Sequence, residues 1–137
     1  MSHYNEIETQ ITDETCLVDA LKEEFKEVQV NTAATNLEGY QGDKRSQKAE
    51  IVIPRKYVGG ASNDIGFAKQ ANGTYKAIIS DYDRGRYGDT WLNRLKQKYA
   101  EKKTARIAAK QGYKLVGKKE VKTSKGNKIQ LIYSAGR

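Results

Sequence analysis

The chain has very little of the chemistry that most small enzymes use. Among 137 residues there is one cysteine, one histidine, one proline, one tryptophan and one methionine. A single cysteine, Cys16, excludes an intramolecular disulfide and fits a reducing compartment. With His3 as the only histidine, neither a zinc site of the usual His/Cys kind nor a histidine-dependent nucleophile dyad can be assembled. No apolar run approaches the length needed to cross a bilayer, so no membrane insertion is expected. The opening "MSHYNEIETQ" has neither a basic start nor an apolar stretch, unlike a signal peptide. It is acidic where transit peptides are Arg-rich.

Tyrosine and charge are plentiful. Nine tyrosines stand against two phenylalanines, and charged residues make up 31% of the chain. Tyrosine packs its ring while keeping a hydroxyl in water, which suits a thin two-layer domain with a large solvated surface. The length predicts one domain over residues 1–137 with its own core. Charge is segregated along it. Residues 1–87 hold 11 Lys/Arg and 14 Asp/Glu, net −3, whereas residues 88–137 hold 14 and 3, net +11. A basic half attracts phosphate or acidic protein, or it neutralises the acidic half of its own chain.

Residues 3–11 alternate, with Ile7, Thr9 and Ile11 on one side, and predict a half-buried strand. Thr12 or Asp13 caps a helix whose stripe is Leu17, Val18, Leu21 and Phe25. A short strand over 27–31 and a long polar loop over 32–47 follow. "KAEIVIPR" at 48–55 reads as a strand with Ala49, Ile51 and Ile53 on one face, and Pro54 at its end marks an edge or an exit. Asn72-Gly73 lies between two strand patterns, a strong hairpin signal. A two-residue turn there pairs Phe67 with Ile78. A second polar loop covers 81–90. Trp91, Leu92, Leu95 and Tyr99 then stripe a helix that turns cationic and is expected to bend, break near "EKKT" or project past the sheet, with Thr104 able to cap a separate helix. Two strands, about 113–123 and 128–135, end the chain. The fold class expected is α+β: a mostly antiparallel sheet with two main helices on one face, ferredoxin-like with extra hairpins.

The glycine-rich "GGASNDIGF" at 59–67 is not a phosphate loop. Five residues separate Gly60 from Gly66, Phe67 stands where lysine is required, and a strand follows rather than a helix. Asn63 and Asp64 read as a turn, and Gly66 lets another chain segment approach. "DYDRGRYGDTWL" begins like a calcium loop, but Arg86 replaces the required glycine and Leu92 the closing glutamate. No metal and no cofactor are expected. Acid–base work by Asp64, Asp81 or Asp83 is open in principle, although exposed turn acids are far commoner than catalytic ones. Lys96, Lys98, Lys102, Lys103, Arg106 and Lys110 form a candidate anion or nucleic-acid surface.

Five stretches, "GYQGDKR", "KAEIVI", "GGASNDIGF", "GTYKAIISDYD" and "WLNRLKQKYA", in this order resemble a family of small uncharacterised proteins. Its members are encoded in cyanobacteria and, as a hypothetical chloroplast reading frame, in algal plastid genomes. The likeness is close from residue 1 to about 100, while the C-terminal stretch keeps the helix-then-hairpin plan and is unusually basic. It implies a photosynthetic lineage or a virus of such a host, and a place in cyanobacterial cytosol or plastid stroma. It supplies no reaction. It shifts weight onto two loops, with Ser62, Asn63, Asp64, Tyr82, Asp83, Arg84 and Arg86 as a protein-binding set that serves binding rather than the fold. The function expected is therefore a non-enzymatic binding or assembly module with a protein partner. Non-specific nucleic-acid binding by the basic half is the alternative.

Overall fold

A computed structural model describes residues 3–123 and 126–135, in two compact units, Met1–Tyr99 and Ala100–Arg137. In the first, β1 (Tyr4–Ile11) leads to α1 (Glu14–Lys22), then β2 (Gln29–Glu38) and β3 (Lys44–Ile53). The short helix α2 (Arg55–Val58) precedes β4 (Ile65–Lys69) and β5 (Tyr75–Ser80). Another short helix, α3 (Asp81–Arg84), opens onto α4 (Asp89–Lys110). Five strands form one sheet in the order β1-β5-β4-β3-β2, and every pairing is antiparallel.

The α+β class stands, with an antiparallel sheet and the apolar sides of α1 and the start of α4 on one face. Strand order is the finer difference. β2 to β5 form a meander and β1 joins the β5 edge, whereas a ferredoxin-like core follows a split strand–helix–strand order.

Apolar spacing explains the main core. Leu17, Val18, Leu21 and Phe25 from α1 and its exit meet Trp91, Leu92, Leu95 and Tyr99 over Ile51, Ile53, Ile65, Phe67 and Ile79. Each fully buried large apolar side chain contributes roughly 1.5–3 kcal/mol. Asp13 caps α1 by accepting from the Cys16 amide at 3.0 Å. The Tyr99 hydroxyl accepts from the amides of Thr12 and Asp13, fixing the entry to α1 against α4. Cys16 itself is buried packing.

The opposite sheet face holds a smaller cluster of Leu37, Ala49, Val52, Ala68 and Ile78, with Tyr4 packed against it. Ala49 is thus in this cluster and not with Ile51 and Ile53, as strict alternation predicted. The β2–β3 pairing carries two register shifts, and these break the two-residue period. The Arg45 guanidinium at the start of β3 lies 4.9 Å from the centroid of the Tyr4 ring in β1, so this hairpin folds back over the sheet face.

Residues expected as a long loop over 32–47 are mostly the ends of β2 and β3. Most of β2 is exposed at the sheet edge, so no apolar alternation marked it. The β4–β5 register is offset by one from the expected pairing. Phe67 faces Ala77 and Gly66 faces Ile78. The cause is the turn: Gln70 bonds Thr74 across three residues, with Gly73 at φ 86°, rather than a two-residue connection.

In the second unit the remainder of α4 continues without a break. Thr104 donates its hydroxyl to the Ala100 carbonyl within the helix instead of capping a new one. Gly112, at φ 84°, follows its end. β6 (Tyr113–Thr123) and β7 (Gly126–Ala135) pair with each other antiparallel.

Candidate functional site

The two loops singled out in the sequence meet through buried polar side chains. β5 ends at Ser80, which caps α3 by accepting from the Asp83 amide. This helix turns Asp83 inward, where its Oδ2 accepts from the Ser80 hydroxyl at 2.7 Å. The same oxygen accepts from the Asn63 amide at 3.0 Å and from Asn63 Nδ2 at 3.2 Å. Asn63 Nδ2 also donates to Ser80 Oγ at 2.9 Å, and Asn63 Oδ1 accepts from the Tyr40 amide at 3.0 Å. Asn63 and Ser80 are fully buried and Asp83 is 3% exposed. Buried polar groups satisfied this completely fix a conformation, because each alternative leaves one of them unpaired.

Asp64 extends the network to the β2–β3 turn and to α2. Its Oδ2 accepts from the Glu38 amide at 2.8 Å and its Oδ1 from the Arg55 amide at 2.7 Å. Its backbone amide bonds the Glu38 carbonyl, and its own carbonyl accepts from the Tyr4 hydroxyl. Burial pushes the Asp64 carboxyl above its ordinary range, while the two backbone donors pull the other way. Burial likewise raises the Tyr4 hydroxyl, with the nearby Asp64 carboxyl adding to it. Asp64 therefore holds backbone in place, contrary to the expectation that it serves binding and not the fold.

Members of the expected set separate by exposure. Ser62, Asn63, Asp64 and Asp83 are buried. Arg84 is half-buried and bonds Asp89 Oδ1 at 2.8 Å and the Tyr87 carbonyl. Tyr82 is 61% exposed and Arg86 is exposed beside it, its guanidinium 5.5 Å from the Tyr87 ring centroid. Tyr40, which sequence reading did not single out, is 41% exposed. Asn63 bonds the Tyr40 backbone on one side and Asp83, the neighbour of Tyr82, on the other. Arg55 donates to the Tyr40 carbonyl and pairs with Glu38 at 3.3 Å. The missed residue with a readable signal is Ser80. "SDYD" is a serine followed three residues later by an acid, the pattern of a helix start.

The basic candidates all lie on α4. Lys96 and Lys98 are in the first unit, where Lys98 pairs with Glu23 at 3.5 Å. Lys102, Lys103, Arg106 and Lys110 are in the second, with Arg106 and Lys110 exposed. Among the described residues no group of three or more His, Cys, Asp or Glu is placed to hold a metal ion. Among the described residues no helix is long and apolar enough to cross a membrane.

Residues 20–132 match the family described as "Protein of unknown function (DUF1257)", and the chain belongs to that family. No curated protein and no solved structure matches it.

Proposed function

We propose that this member of the DUF1257 family is a non-enzymatic protein-binding or assembly module of a photosynthetic organism or its virus, acting in cyanobacterial cytosol or plastid stroma. Its docking surface is the end of the first unit's sheet that carries the 59–67 and 81–87 loops. One observation carries this reading. Asn63, Ser80 and Asp83 lock the loops from beneath, while Tyr82 and Tyr40 stand exposed above the locked backbone. A preorganised backbone lowers the entropy lost on docking. Exposed tyrosine and arginine are the side chains that most often dominate protein interfaces, because they bring large contact area with few rotatable bonds. The test is affinity capture on the immobilised full chain from a cyanobacterial lysate, with and without nuclease. A protein partner that survives nuclease and is lost with Tyr82→Ala/Arg86→Ala is the expected result. A partner retained by that variant removes the loops from the interface.

A second reading places nucleic acid on the second unit. Residues 100–137 hold 11 Lys/Arg and 2 Asp/Glu, net +9. Lysine–phosphate contacts release counterions, so affinity for single strands would fall with salt by a log–log slope of about −0.7 per contact. Replacing Lys102, Lys103 and Arg106 with glutamate would flatten that slope for all sequences alike. Recovery of nucleic acid alone in the capture experiment favours this reading.

A further inference from the structure

We infer that the loop end of the first unit takes an acidic segment of its partner protein, whose carboxylates pair with Lys56 and Arg86. The inference rests on the proposed reading of the 59–67 and 81–87 loops as a docking surface, and it supplies the chemistry of the partner.

Two short stretches of this end are built alike. α2 carries Arg55, Lys56 and Tyr57, and the turn from α3 into α4 carries Arg84, Arg86 and Tyr87. In each, the first arginine is half-buried and already paired, Arg55 with Glu38 at 3.3 Å and Arg84 with Asp89 at 2.8 Å. The second cation is exposed and rests beside the tyrosine that follows it. Lys56 Nζ is 5.1 Å from the Tyr57 ring centroid, and the Arg86 guanidinium is 5.5 Å from that of Tyr87. The Tyr87 hydroxyl donates to the Val58 carbonyl at 3.0 Å, which joins the turn to the end of α2.

The carboxylates of this end have partners within the chain. Glu38 and Asp89 hold the two arginines, and Asp43 lies 4.0 Å from Arg45. Asp81 accepts from Asn5 Nδ2 at 2.6 Å, and Asp64 and Asp83 are buried in the network. Among the described residues neither Lys56 nor Arg86 forms an ion pair, so two exposed positive charges are left over. A cation already resting on an aromatic ring has less side-chain freedom to lose when a carboxylate meets it. Charge also separates peptide from nucleic acid here. Glu38, Asp81 and Asp89 are exposed at the same end and repel a strand with a phosphate at every nucleotide. A peptide can place carboxylates at the two cations and apolar atoms against Tyr82.

The experiment follows binding of a synthetic peptide alternating Glu with Ser to the full chain. Its Lys/Ser counterpart and a single-stranded oligonucleotide are the controls. Residues 100–137, net +9, also attract acid, so the readout is local. The acidic peptide alone is expected to protect amides of residues 56–58 and 85–87 from hydrogen exchange. Lys56→Glu/Arg86→Glu should weaken the peptide at least about fivefold. Protection confined to residues 100–137, the same local protection by the oligonucleotide or the basic peptide, or a smaller loss in the variant overturns the inference. Exchange on the wild-type chain decides the matter even where the variant does not fold. Tyr82→Ala leaves both cations in place and tests the docking surface by itself. A lysate partner lost with Tyr82→Ala but kept by Lys56→Glu/Arg86→Glu overturns the acidic segment and leaves the docking surface standing, whereas a partner kept by both overturns the two together.

Discussion

Asn63 places two donors, its backbone amide and its side-chain Nδ2, on the same oxygen of Asp83, and neither residue is more than 3% exposed. The two residues are 20 apart in sequence and belong to different loops. Their pairing joins the start of β4 to the end of β5 from beneath the surface. It makes two glycine-containing loops one rigid end of the sheet.

Truncating Asn63 to alanine should therefore be severe. It takes the side-chain donor from Asp83 Oδ2 while leaving the backbone one, removes one partner from the Ser80 hydroxyl, and strands the Tyr40 amide. Each buried group left unsatisfied costs about 1–3 kcal/mol, so a loss on the order of 3 kcal/mol is expected in urea unfolding. A double-mutant cycle with Asp83→Ala should show strong coupling, because both changes break one network. Additive effects would mean that the two side chains act separately.

Much of the scaffold was legible in the sequence, and the network was not. The stripes of α1 and α4 and the β4–β5 hairpin are carried by local periodicity, which a single sequence displays. Only the start of β2 was read as a strand, over 27–31, because the rest lies at the edge and buries almost nothing but Leu37. Ala49 was placed on the wrong face because register shifts in β2–β3 break alternation. Asn63, Asp64 and Asp83 were recognised as special, but their burial depends on where Glu38, Arg55 and Ser80 arrive from elsewhere in the chain. Such contacts leave no periodic trace.

The hairpin core offers a paired test. Phe67 is fully buried, and Phe67→Ala should cost on the order of 3–5 kcal/mol. At Gly66 a Cβ would lie 2.7 Å from the Ala49 Cβ and 3.0 Å from a Leu37 methyl. Gly66→Ala should accordingly destabilise by overpacking, by about 1–3 kcal/mol. A neutral Gly66→Ala would show that the β2–β3 hairpin does not press on the sheet as described.

Asp64 should leave a signature in the pH dependence of stability. Its folded pKa lies above the ordinary 3.8, chiefly because of burial. Between that value and the folded one, the native chain keeps a proton that the unfolded chain has released. Stability therefore falls as pH rises through this window and levels off above it. Asp64→Asn removes the titration. The stability difference between wild type and variant, followed by urea unfolding across a pH series, should move against wild type as pH rises. A difference moving the other way would mean that the two backbone donors outweigh burial.

Stability and recognition should separate by residue on the loop end of the first unit. Tyr82 and Arg86 are exposed, so alanine at either should keep unfolding free energy within about 0.5 kcal/mol of wild type. Arg84 is the intermediate case. Its ion pair with Asp89 is largely solvated on the Asp89 side, so Arg84→Ala should cost at most about 1 kcal/mol, and less at high salt. The network variants should lose stability and captured partner together, because a collapsed loop no longer presents Tyr40 and Tyr82 in one arrangement. Tyr82→Ala should lose the partner at unchanged stability. Capture on immobilised variants, run beside their unfolding curves, reads both quantities. If Tyr82→Ala and Arg86→Ala both hold the partner at wild-type strength, the network serves the fold alone and the docking surface lies elsewhere on the chain.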